Sequence, residues 1–589
     1  MNSIRRFLPF LRWFPMDGNT VKADVIAGIT VALVLIPQSM AYASLAGLPA
    51  YYGLYAAFLP VMVAALWGSS SQLGTGPVAV VSLLTASAIT PIVASMGFEV
   101  GTEAWTEAFL PLAIMLAFMV GAFQFMLGVF KLGVIVNFLS HPVIVGFTNA
   151  AAMVIALSQV NKIFGVEKLS SEFFLGDIWG VVQNLGDTHF VTLIFGAVSV
   201  FGIMFAKKKW PKLPGVLIVV AGTTIISWAI DFEKMGGGVV GTIPEGLPSL
   251  SMPAFNMDVF GTLVSSAIII SLIGFMEAIS IAKAMAAKTK ERIDPSQELI
   301  GQGLGNMVGA MSSSYPTSGS FSRSAVNINA GALTGMSSVY TGIIVLITLL
   351  FLTPLLYHLP KAVLAAVIMT AVFGLINFKS VKHAWHASRH DGIASIVTFI
   401  ATLAFAPHLD KGIMVGAGLA ILLYLYRTMS PRVAILGRYK DGTLRDVKVN
   451  DLDTSDQIIA IRFDGSLYFA NVSYFEDAIL EAVSDKPDAE FILVVGDAIN
   501  QLDASGEEVL QHLNERLREN NIQIVFSGLK RQVLMVMRKT GLFDEIGQKN
   551  IFANEDMALE AIYKRLGDTS EFDSANCPLT YPRAVQESA

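Results

Sequence analysis

A polar segment, "PTSGSFSRSAV" at 316–326, lies between long apolar runs and carries a single charged side chain, Arg323. A charge beside bilayer-spanning segments is costly unless it faces a cavity or a partner. Ser320 and Ser322 come just before a short apolar run, which predicts a short helix whose first N–H groups are free to bind an anion. The planar guanidinium also suits an oxyanion. The segment therefore indicates an anion site; the alternative is a polar hinge in which Arg323 binds backbone carbonyls.

A second segment, "GTGPVAV" at 74–80, predicts another short helix start, because proline at the first helical position loses no helix hydrogen bond. Two half-helix N-termini and one guanidinium would form an anion site at the membrane midplane. Taken alone, this segment fits a hinge equally well. The residues expected to contact the anion at the two helix starts are Pro77, Val78, Ala79, Phe321, Ser322, Arg323 and Ser324.

Two further positions lie within apolar stretches. Glu277 is central in "LIGFMEAISIAKAM", and apolar surroundings favour a protonated carboxyl, which suits a proton-coupling group. The alternative is a structural salt bridge from Glu277 to Lys283 or Arg323. Gln38 and Tyr42 are four residues apart on one helix face and could offer an amide and a hydroxyl to one ligand. A helix-packing hydrogen bond explains that spacing equally well.

The remaining titratable residues do not suggest catalysis or a metal site. His141 is interpreted as the mark of a short turn between two helices. The chain has no G-x-S-x-G, Walker A or H-E-x-x-H motif, so we expect no enzymatic activity, no metal and no cofactor. We interpret four other titratable residues as loop residues without metal-ligand spacing: His383, His386, His390 and Glu298.

Composition indicates a polytopic membrane protein with a soluble domain. The chain is 53% hydrophobic and only 15% charged, whereas soluble domains carry about a quarter charged residues. Apolar runs dominate as far as about Arg427, and charges are dense from about Pro431. The net charge of -6 does not suggest nucleic-acid binding. Cys577 is the single cysteine, which excludes an internal disulfide and a cysteine-based metal site.

A membrane-spanning helix needs roughly 20 apolar residues. The stretch 132–160 is long enough for two tightly linked segments, and 77–95 and 323–335 are interpreted as discontinuous helices. Spanning helices are predicted near 24–46, 51–67, 108–129, 189–206, 214–230, 259–284, 338–356, 361–377, 392–406 and 411–427.

Lysine and arginine in the short loops predict the orientation. The basic loops are expected to be cytoplasmic, since the intervening loops at 97–107 and 167–187 are acidic or neutral. Both ends of the membrane part then lie inside, and the number of spans is even. Residues 1–22 are basic and amphipathic without a small-residue cleavage site, which favours a cytoplasmic interfacial helix over a removed signal peptide.

The two candidate half-sites recur at similar offsets. Glu277 lies 239 residues after Gln38, and Arg323 lies 246 residues after Pro77. A long helix with a polar midpoint followed by a broken helix, occurring twice, predicts a transporter repeat with the site at the repeat interface. The predicted repeats are about 23–231 and 258–429 of a transport domain at 23–429.

The soluble part predicts a small α/β domain at 456–566, after a linker at 430–455 and before a flexible tail at 567–589. Ser473 and Glu476 have capping-box spacing, which predicts a helix start at Ser473. The predicted strands are 458–464, 466–472, 491–497 and 522–528, and the predicted helices are 473–484, 505–520 and 531–541.

Several motifs resemble the SulP sulfate permease family: "IPQSMAYASLAGLPAYYGLYAAF", "GPVAVVSLLT", "GFMEAISIAKAMAAKT", "SGSFSRSAVNINAGALTG" and "FLTPLLYHLPKAVLAAVI". The resemblance extends over about 24–566. It implies a polytopic α-helical membrane protein of fourteen segments in two inverted repeats of seven, with core and gate domains. It also implies a cytoplasmic α/β STAS domain and a homodimer.

Plant sulfate transporters of that family also have Gln and Tyr four residues apart in the first segment, Glu in the eighth and Ser-Arg at the start of the tenth. This resemblance implies that Gln38, Tyr42, Ser322 and Arg323 contact sulfate and that Glu277 couples protons. Cyanobacterial sodium–bicarbonate members have Asp in the eighth segment and no Arg in the tenth, so the chain departs from them at both places. The stretch "INQLDASG" at 499–506 resembles the phosphorylated loop of anti-sigma-factor antagonists, but Ala504 replaces one of its two serines, which leaves modification of Ser505 open.

These observations together predict a secondary active transporter that moves an inorganic oxyanion by proton symport with alternating access, and the family resemblance implies that this anion is sulfate. Compact loops favour a bacterial chain, and hence the cell inner membrane with both termini cytoplasmic. The expected partners are the anion, a proton, membrane lipid, a second copy of the chain and a cytoplasmic protein at the STAS domain. The alternatives are transport of bicarbonate or a C4-dicarboxylate, an anion channel or exchanger, and a sensor in which the STAS domain matters most.

Overall fold

The structure is a computed structural model that describes residues 8–99, 102–133, 140–167, 174–210, 214–244, 246–254, 257–567 and 577–580. Contacts divide the chain into two compact units, Met1–Ala420 and Ile421–Ala589. Each unit is described by itself below.

The first unit is helical and begins with a 3-10 helix at Pro9–Trp13. The helices of its first half are α1 (Gly18–Leu45), α2 (Tyr52–Tyr55), α3 (Leu59–Trp67), α4 (Ala79–Ser95), α5 (Glu103–Val129), α6 (His141–Ser158), α7 (Val160–Phe164), α8 (Phe174–Gln183), α9 (Phe190–Lys209) and α10 (Gly215–Ala229). The helices that follow are α11 (Met257–Thr289), α12 (Pro295–Ala310), α13 (Phe321–Asn329), α14 (Met336–Ile347), α15 (Lys361–Val372), α16 (Phe378–Ala387), α17 (Arg389–Phe405) and α18 (Leu409–Met429).

Many of these helices have the length and composition of membrane spans. Among the described residues, seven are long and apolar enough to cross a bilayer, and shorter apolar helices accompany them. All ten predicted spans coincide with helical segments. The expected polytopic helical architecture is therefore confirmed.

Three helices were missed because their sequences lack a long apolar run: α8, α12 and α16. Helix α12, "PSQELIGQGLGNMVGA", is rich in glycine and polar residues, yet it packs against α3 and α5. A Cβ on Gly301 would lie 2.6 Å from the Cα of Gly68, so only glycine permits this approach. In 132–160, where two linked segments were expected, the described residues form α6 and the short α7, and 134–139 lie outside them.

Two short strands, β1 (Gly74–Gly76) and β2 (Ser318–Ser320), pair antiparallel although more than 200 residues separate them. Each strand leads into a helix, β1 into α4 and β2 into α13. Because the pairing is antiparallel, the two helices leave the pair in opposite directions, as expected of two inverted halves. The order of elements in both broken segments is thus strand, then helix.

The exact helix starts differ from the sequence prediction. Helix α4 begins at Ala79, and Val78 before it is extended, so Pro77 is not the first helical residue. The extended conformation at Val78 places Pro77 just after β1, with its carbonyl free to accept a hydrogen bond. Helix α13 ends at Asn329 rather than near 335.

The second unit contains a six-stranded sheet of order β4-β3-β5-β6-β7-β8. Strands β5 to β8 are parallel, and β3 is antiparallel to both neighbours. The strands are β3 (Val433–Arg438), β4 (Leu444–Asp446), β5 (Ile458–Phe463), β6 (Phe491–Val495), β7 (Gln523–Ser527) and β8 (Ile551–Phe552). The helices are α19 (Val447–Asn450), α20 (Val472–Ser484), α21 (Ala504–Glu519), α22 (Arg531–Thr540), α23 (Leu542–Ile546) and α24 (Glu555–Gly567).

The start of α20 corrects the prediction for 466–484. Residues 466–472 do not form a strand, and only Leu467 makes an isolated bridge, to Leu502. Helix α20 begins at Val472, with Asn471 as N-cap, so the capping box from Ser473 is wrong. The side chain of Asn471 instead orders the turn, since its Oδ1 accepts from the Tyr468 N–H at 3.2 Å.

Two segments outside the predicted α/β domain take part in its structure. The segment 430–455, expected to be a linker, contains β3 and β4, which extend the sheet. In the expected tail, Cys577 and Leu579 are buried in the core beside α24. The Leu579 carbonyl accepts from the Arg438 Nε at 2.9 Å.

Candidate anion site

Arg323 lies in the first turn of α13 and is fully buried, with 0% of its surface exposed. Its Nη1 donates to the Pro77 carbonyl at 2.8 Å, which joins the two broken segments. Among the described residues, its Nε and Nη2 have no hydrogen-bond partner. An unpaired buried donor on a charged group is costly, so these two nitrogens are suited to an anionic ligand. The hinge alternative, in which Arg323 binds backbone carbonyls, accounts for Nη1 but not for Nε or Nη2.

The serines around Arg323 have different roles. The Ser324 hydroxyl donates to the Ser320 carbonyl at 2.7 Å and accepts from the Gly74 N–H at 2.8 Å. Ser324 therefore ties α13 to β1. Ser322 is exposed, and its hydroxyl lies 3.2 Å from that of Ser320, while Phe321 is also exposed.

The start of α4 supplies backbone donors. Val78 and Ala79 are buried, and no side chain caps this helix. The first N–H groups of a helix have no intrahelical acceptor and carry the positive end of its dipole. The first turns of α4 and α13 thus each present free donors beside the β1–β2 pair.

Helix α1 contacts both α4 and α13 and carries Gln38 and Tyr42 on one buried face. The Gln38 Oε1 has no hydrogen-bond partner among the described residues. Tyr42 lies within electrostatic range of Arg323 and of Glu277. Of the two α1 positions predicted from the sequence, Tyr42 therefore interacts electrostatically with the guanidinium, and Gln38 lies on the same buried helix face.

Glu277 reaches the same region from α11. The Ser318 hydroxyl donates to the Gly274 carbonyl at 2.6 Å, and a Cβ on Gly319 would lie 3.0 Å from the Cα of Ala278. Glu277 sits between these two contacts and is partly buried. In the described part of the chain it makes no ion pair or hydrogen bond, so the predicted alternative of a salt bridge is wrong.

The other titratable positions lie away from loops, contrary to expectation. His383 and His386 are in α16, His390 is in α17, and Glu298 is in α12. Helices α12 and α16 are short or polar, and His390 lies in the polar first turn of α17, before the apolar run predicted from 392, which explains why the apolar pattern missed these positions. His141 is the exposed first residue of α6. Within the described ranges, no cluster of three or more His, Cys, Asp or Glu residues could hold a metal.

Two residues of the site were missed by sequence reasoning. Tyr315 is fully buried and within electrostatic range of Arg323 and Tyr42. Gly76 has φ +137°, and a Cβ there would lie 3.4 Å from the Arg323 Nη2. Tyr315 directly precedes the segment 316–326, and no local pattern marks it as part of the site, whereas Gly76 lies within "GTGPVAV", which predicted a helix start but not an approach to the guanidinium.

Comparison with protein families gives two matches. Residues 21–398 match the model of the sulfate permease family, and residues 450–558 match that of the STAS domain. The first match covers more than half of the chain.

The chain belongs to the sulfate permease family.

Relatives that match nearly the whole of this chain are found in Arabidopsis thaliana. "Probable sulfate transporter 4.2" is 35% identical over 583 residues, which cover 96% of this chain and 84% of the relative. "Sulfate transporter 4.1, chloroplastic" is 34% identical over 576 residues, which cover 94% and 81%. The family and these relatives are transporters, so the chain is a transporter and not an enzyme.

Solved structures share the fold of this chain. The murine Solute Carrier 26 family member A9 anion transporter, in its inward-facing state, matches with a TM-score of 0.88 and 24% identity over 95% of each chain. The transmembrane domain of a cyanobacterium bicarbonate transporter, BicA, matches with a TM-score of 0.57 and 22% identity, over 69% of this chain and 98% of that one. The expected combination of a helical membrane part with a STAS domain is therefore confirmed.

Proposed function

We propose that this sulfate permease family member is a secondary active transporter that moves an inorganic oxyanion, sulfate, by proton symport with alternating access. The observation that carries the proposal is the buried guanidinium of Arg323, with its Nε and Nη2 unpaired beside two helix N-termini.

The donors at this site fit a tetrahedral dianion. A guanidinium offers two parallel N–H donors to two oxygens on one face of an oxyanion. The first turns of α4 and α13 would bind the remaining oxygens through backbone N–H groups. Gln38, Tyr42 and Ser322 supply polar groups around this position, and the relatives from Arabidopsis thaliana are named as sulfate transporters.

Glu277 is the proposed proton carrier. Sulfate brings two negative charges to a site with one guanidinium and two helix ends of roughly half a charge each. An ionised Glu277 nearby would add repulsion in a poorly solvated space, and protonation removes it. Proton and anion should therefore bind cooperatively, and each should raise the affinity for the other by the same factor.

The basic loops favour an orientation with the N-terminus and the STAS domain in the cytoplasm, and the compact loops favour a bacterial chain in the cell inner membrane. We further propose that the protein is a homodimer and that the STAS domain offers a surface to a cytoplasmic protein, both by analogy with the family.

The test is uptake of labelled sulfate into proteoliposomes under imposed pH and sodium gradients. We expect an acidic exterior to drive accumulation, a sodium gradient to have no effect, and unlabelled sulfate to compete better than bicarbonate or C4-dicarboxylates. Accumulation driven by sodium, or stronger competition by bicarbonate, would contradict the proposed substrate and coupling. A sulfate conductance without coupled accumulation would indicate a channel.

A further inference from the structure

Helix α12 carries three buried polar side chains on one face: Glu298, Gln302 and Asn306. They are four residues apart, so they form one stripe along the helix. This stripe, named here the α12 stripe, lies in none of the segments that supply the proposed anion ligands. Its hydrogen bonds nonetheless lead to β1 and β2.

Glu298 and Gln302, the first two residues of the α12 stripe, bind β1 and the residues that precede it. The Glu298 Oε2 accepts from the Ser69 N–H at 2.8 Å and from the Ser70 N–H at 3.1 Å. The Gln302 Nε2 donates to the Thr75 hydroxyl at 2.8 Å. Thr75 is the middle residue of β1, so this bond is made to the strand itself.

Asn306 binds Thr317, the residue that precedes β2. Its Oδ1 accepts from the Thr317 N–H at 2.8 Å and from the Thr317 hydroxyl at 3.1 Å. Its Nδ2 donates to the Thr317 carbonyl at 3.1 Å and to the Gln124 Oε1 at 3.2 Å. A single amide thus fixes both backbone groups of the residue that precedes Ser318.

The same network continues to the helix of Glu277. The Gln124 Nε2 donates to the Ser271 carbonyl at 3.2 Å, and the Ser271 hydroxyl donates to the Val120 carbonyl at 3.2 Å. Ser271 is in α11, less than two helical turns from Glu277. One helix therefore holds β1 and β2 and is joined through Gln124 to α11.

Each strand has only three residues, and a two-stranded pair of this length is not stable by itself. A shift of the pair would change the separation of the two helix starts and move Arg323 relative to the Pro77 carbonyl. We propose that Gln302 and Asn306 are positioning residues that hold β1 and β2 in register and thereby set the separation of the two N–H clusters at the anion site. This inference rests on the proposed function, in which that site binds the transported anion.

The chain offers a matched control for Asn306. Asn149 in α6 is equally buried, and its Oδ1 accepts from the Asn377 N–H at 2.6 Å while its Nδ2 donates to the Asn377 carbonyl at 3.4 Å. It makes the same kind of bond to backbone, but it holds the segment before α16 and not a strand. Asn306→Leu and Asn149→Leu should therefore destabilise the fold in the same way and differ at the anion site.

The experiment compares both variants with the full-length parent by hydrogen–deuterium exchange and by sulfate uptake per folded protein. We expect Asn306→Leu to speed exchange in peptides containing 74–76 and 318–320 and to raise the half-saturating sulfate concentration at least about tenfold. A shifted strand pair moves at least one donor out of reach of the anion, and a hydrogen bond to a charged group is worth about that factor or more. Asn149→Leu should change neither quantity.

Gln302→Met provides a second variant if Asn306→Leu does not fold, because it removes the Thr75 bond and leaves Asn306 intact; it should speed exchange in 74–76. The inference is overturned if the α12 variants match the parent in hydrogen–deuterium exchange of β1 and β2 and in half-saturating sulfate concentration. It is also overturned if Asn149→Leu changes these two quantities as much as Asn306→Leu does. If the parent takes up no sulfate, the proposed function fails, and the exchange data alone decide whether the α12 stripe holds the strands.

Discussion

Arg323→Met is the substitution that separates the anion site from the stability of the fold. Methionine keeps an unbranched stem of similar reach and removes the charge. In the structure, Arg323 is fully buried with one hydrogen bond, to the Pro77 carbonyl. Its loss leaves that carbonyl without its charged donor but also removes an uncompensated buried charge, and these two effects oppose each other.

The effect on anion binding follows from the two unpaired nitrogens, Nε and Nη2. Hydrogen bonds that involve a charged group contribute about 1.5 to 3 kcal/mol each. Two such bonds to one oxyanion correspond to about 3 to 6 kcal/mol, or an affinity loss of roughly 100-fold to 10,000-fold. Arg323→Lys should lie between the parent and Arg323→Met, since it keeps the charge and loses the planar fork.

The assay is thermal unfolding of the purified protein with and without sulfate. Sulfate at 100 times its dissociation constant should stabilise the parent by about 2.7 kcal/mol. At the same sulfate concentration we expect at most about 0.4 kcal/mol of stabilisation in Arg323→Met, because its affinity is at least about 100-fold lower, and a sulfate-free unfolding temperature no lower than that of the parent.

Arg438→Met is the matched control, because Arg438 in the second unit is a buried arginine with satisfied donors. Its Nη1 lies 2.8 Å from the Asp556 carboxylate, and its Nε donates to the Leu579 carbonyl. Its replacement should lower the stability of that domain and leave the sulfate effect unchanged. The reasoning is refuted if sulfate stabilises Arg323→Met as much as it stabilises the parent.

Three further predictions concern coupling, domain roles and strand geometry. Glu277→Gln imitates the protonated form, so proteoliposomes should still exchange sulfate but should not accumulate it under a pH gradient alone; accumulation would assign coupling to another residue. Deletion from Ser430 onward should leave a folded membrane part with unchanged anion preference in competition assays, because all proposed ligands lie upstream, and a changed preference would contradict this. Gly76→Ala should weaken sulfate binding, because Gly76 has φ +137° and its new Cβ would lie 3.4 Å from the Arg323 Nη2. Gly97→Ala is its control, since φ is +86° there with open space around the Cβ, and equal losses of sulfate affinity in both variants would count against the packing argument.

The sequence by itself determined the residue types of the candidate site and the division of the chain into a helical membrane part and a soluble α/β domain. A charge among apolar runs, preceded by small polar residues, pointed to Arg323 because intramembrane charges are costly. Long apolar runs located the major spans, since burial in lipid requires them. Alternation of strands and helices after Pro431 identified the soluble α/β domain.

Tertiary structure decided how the site is assembled. The pairing of Gly74–Gly76 with Ser318–Ser320 joins segments more than 200 residues apart, and three-residue strands leave no period to detect. The Arg323 bond to Pro77 depends on Val78 being extended, which moved the helix start to Ala79.

Helix α12 is a second feature that the sequence alone could not predict. Its glycines permit close backbone contact with α3 and α5, and Glu298, the Gln302 Nε2 and Asn306 form hydrogen bonds with groups elsewhere in the fold. Glycine and polar residues argue against a buried helix when only local sequence is considered. They become favourable only when neighbouring helices and strands supply the contacts and hydrogen bonds, so the helix that holds the two strands could be recognised only in the folded protein.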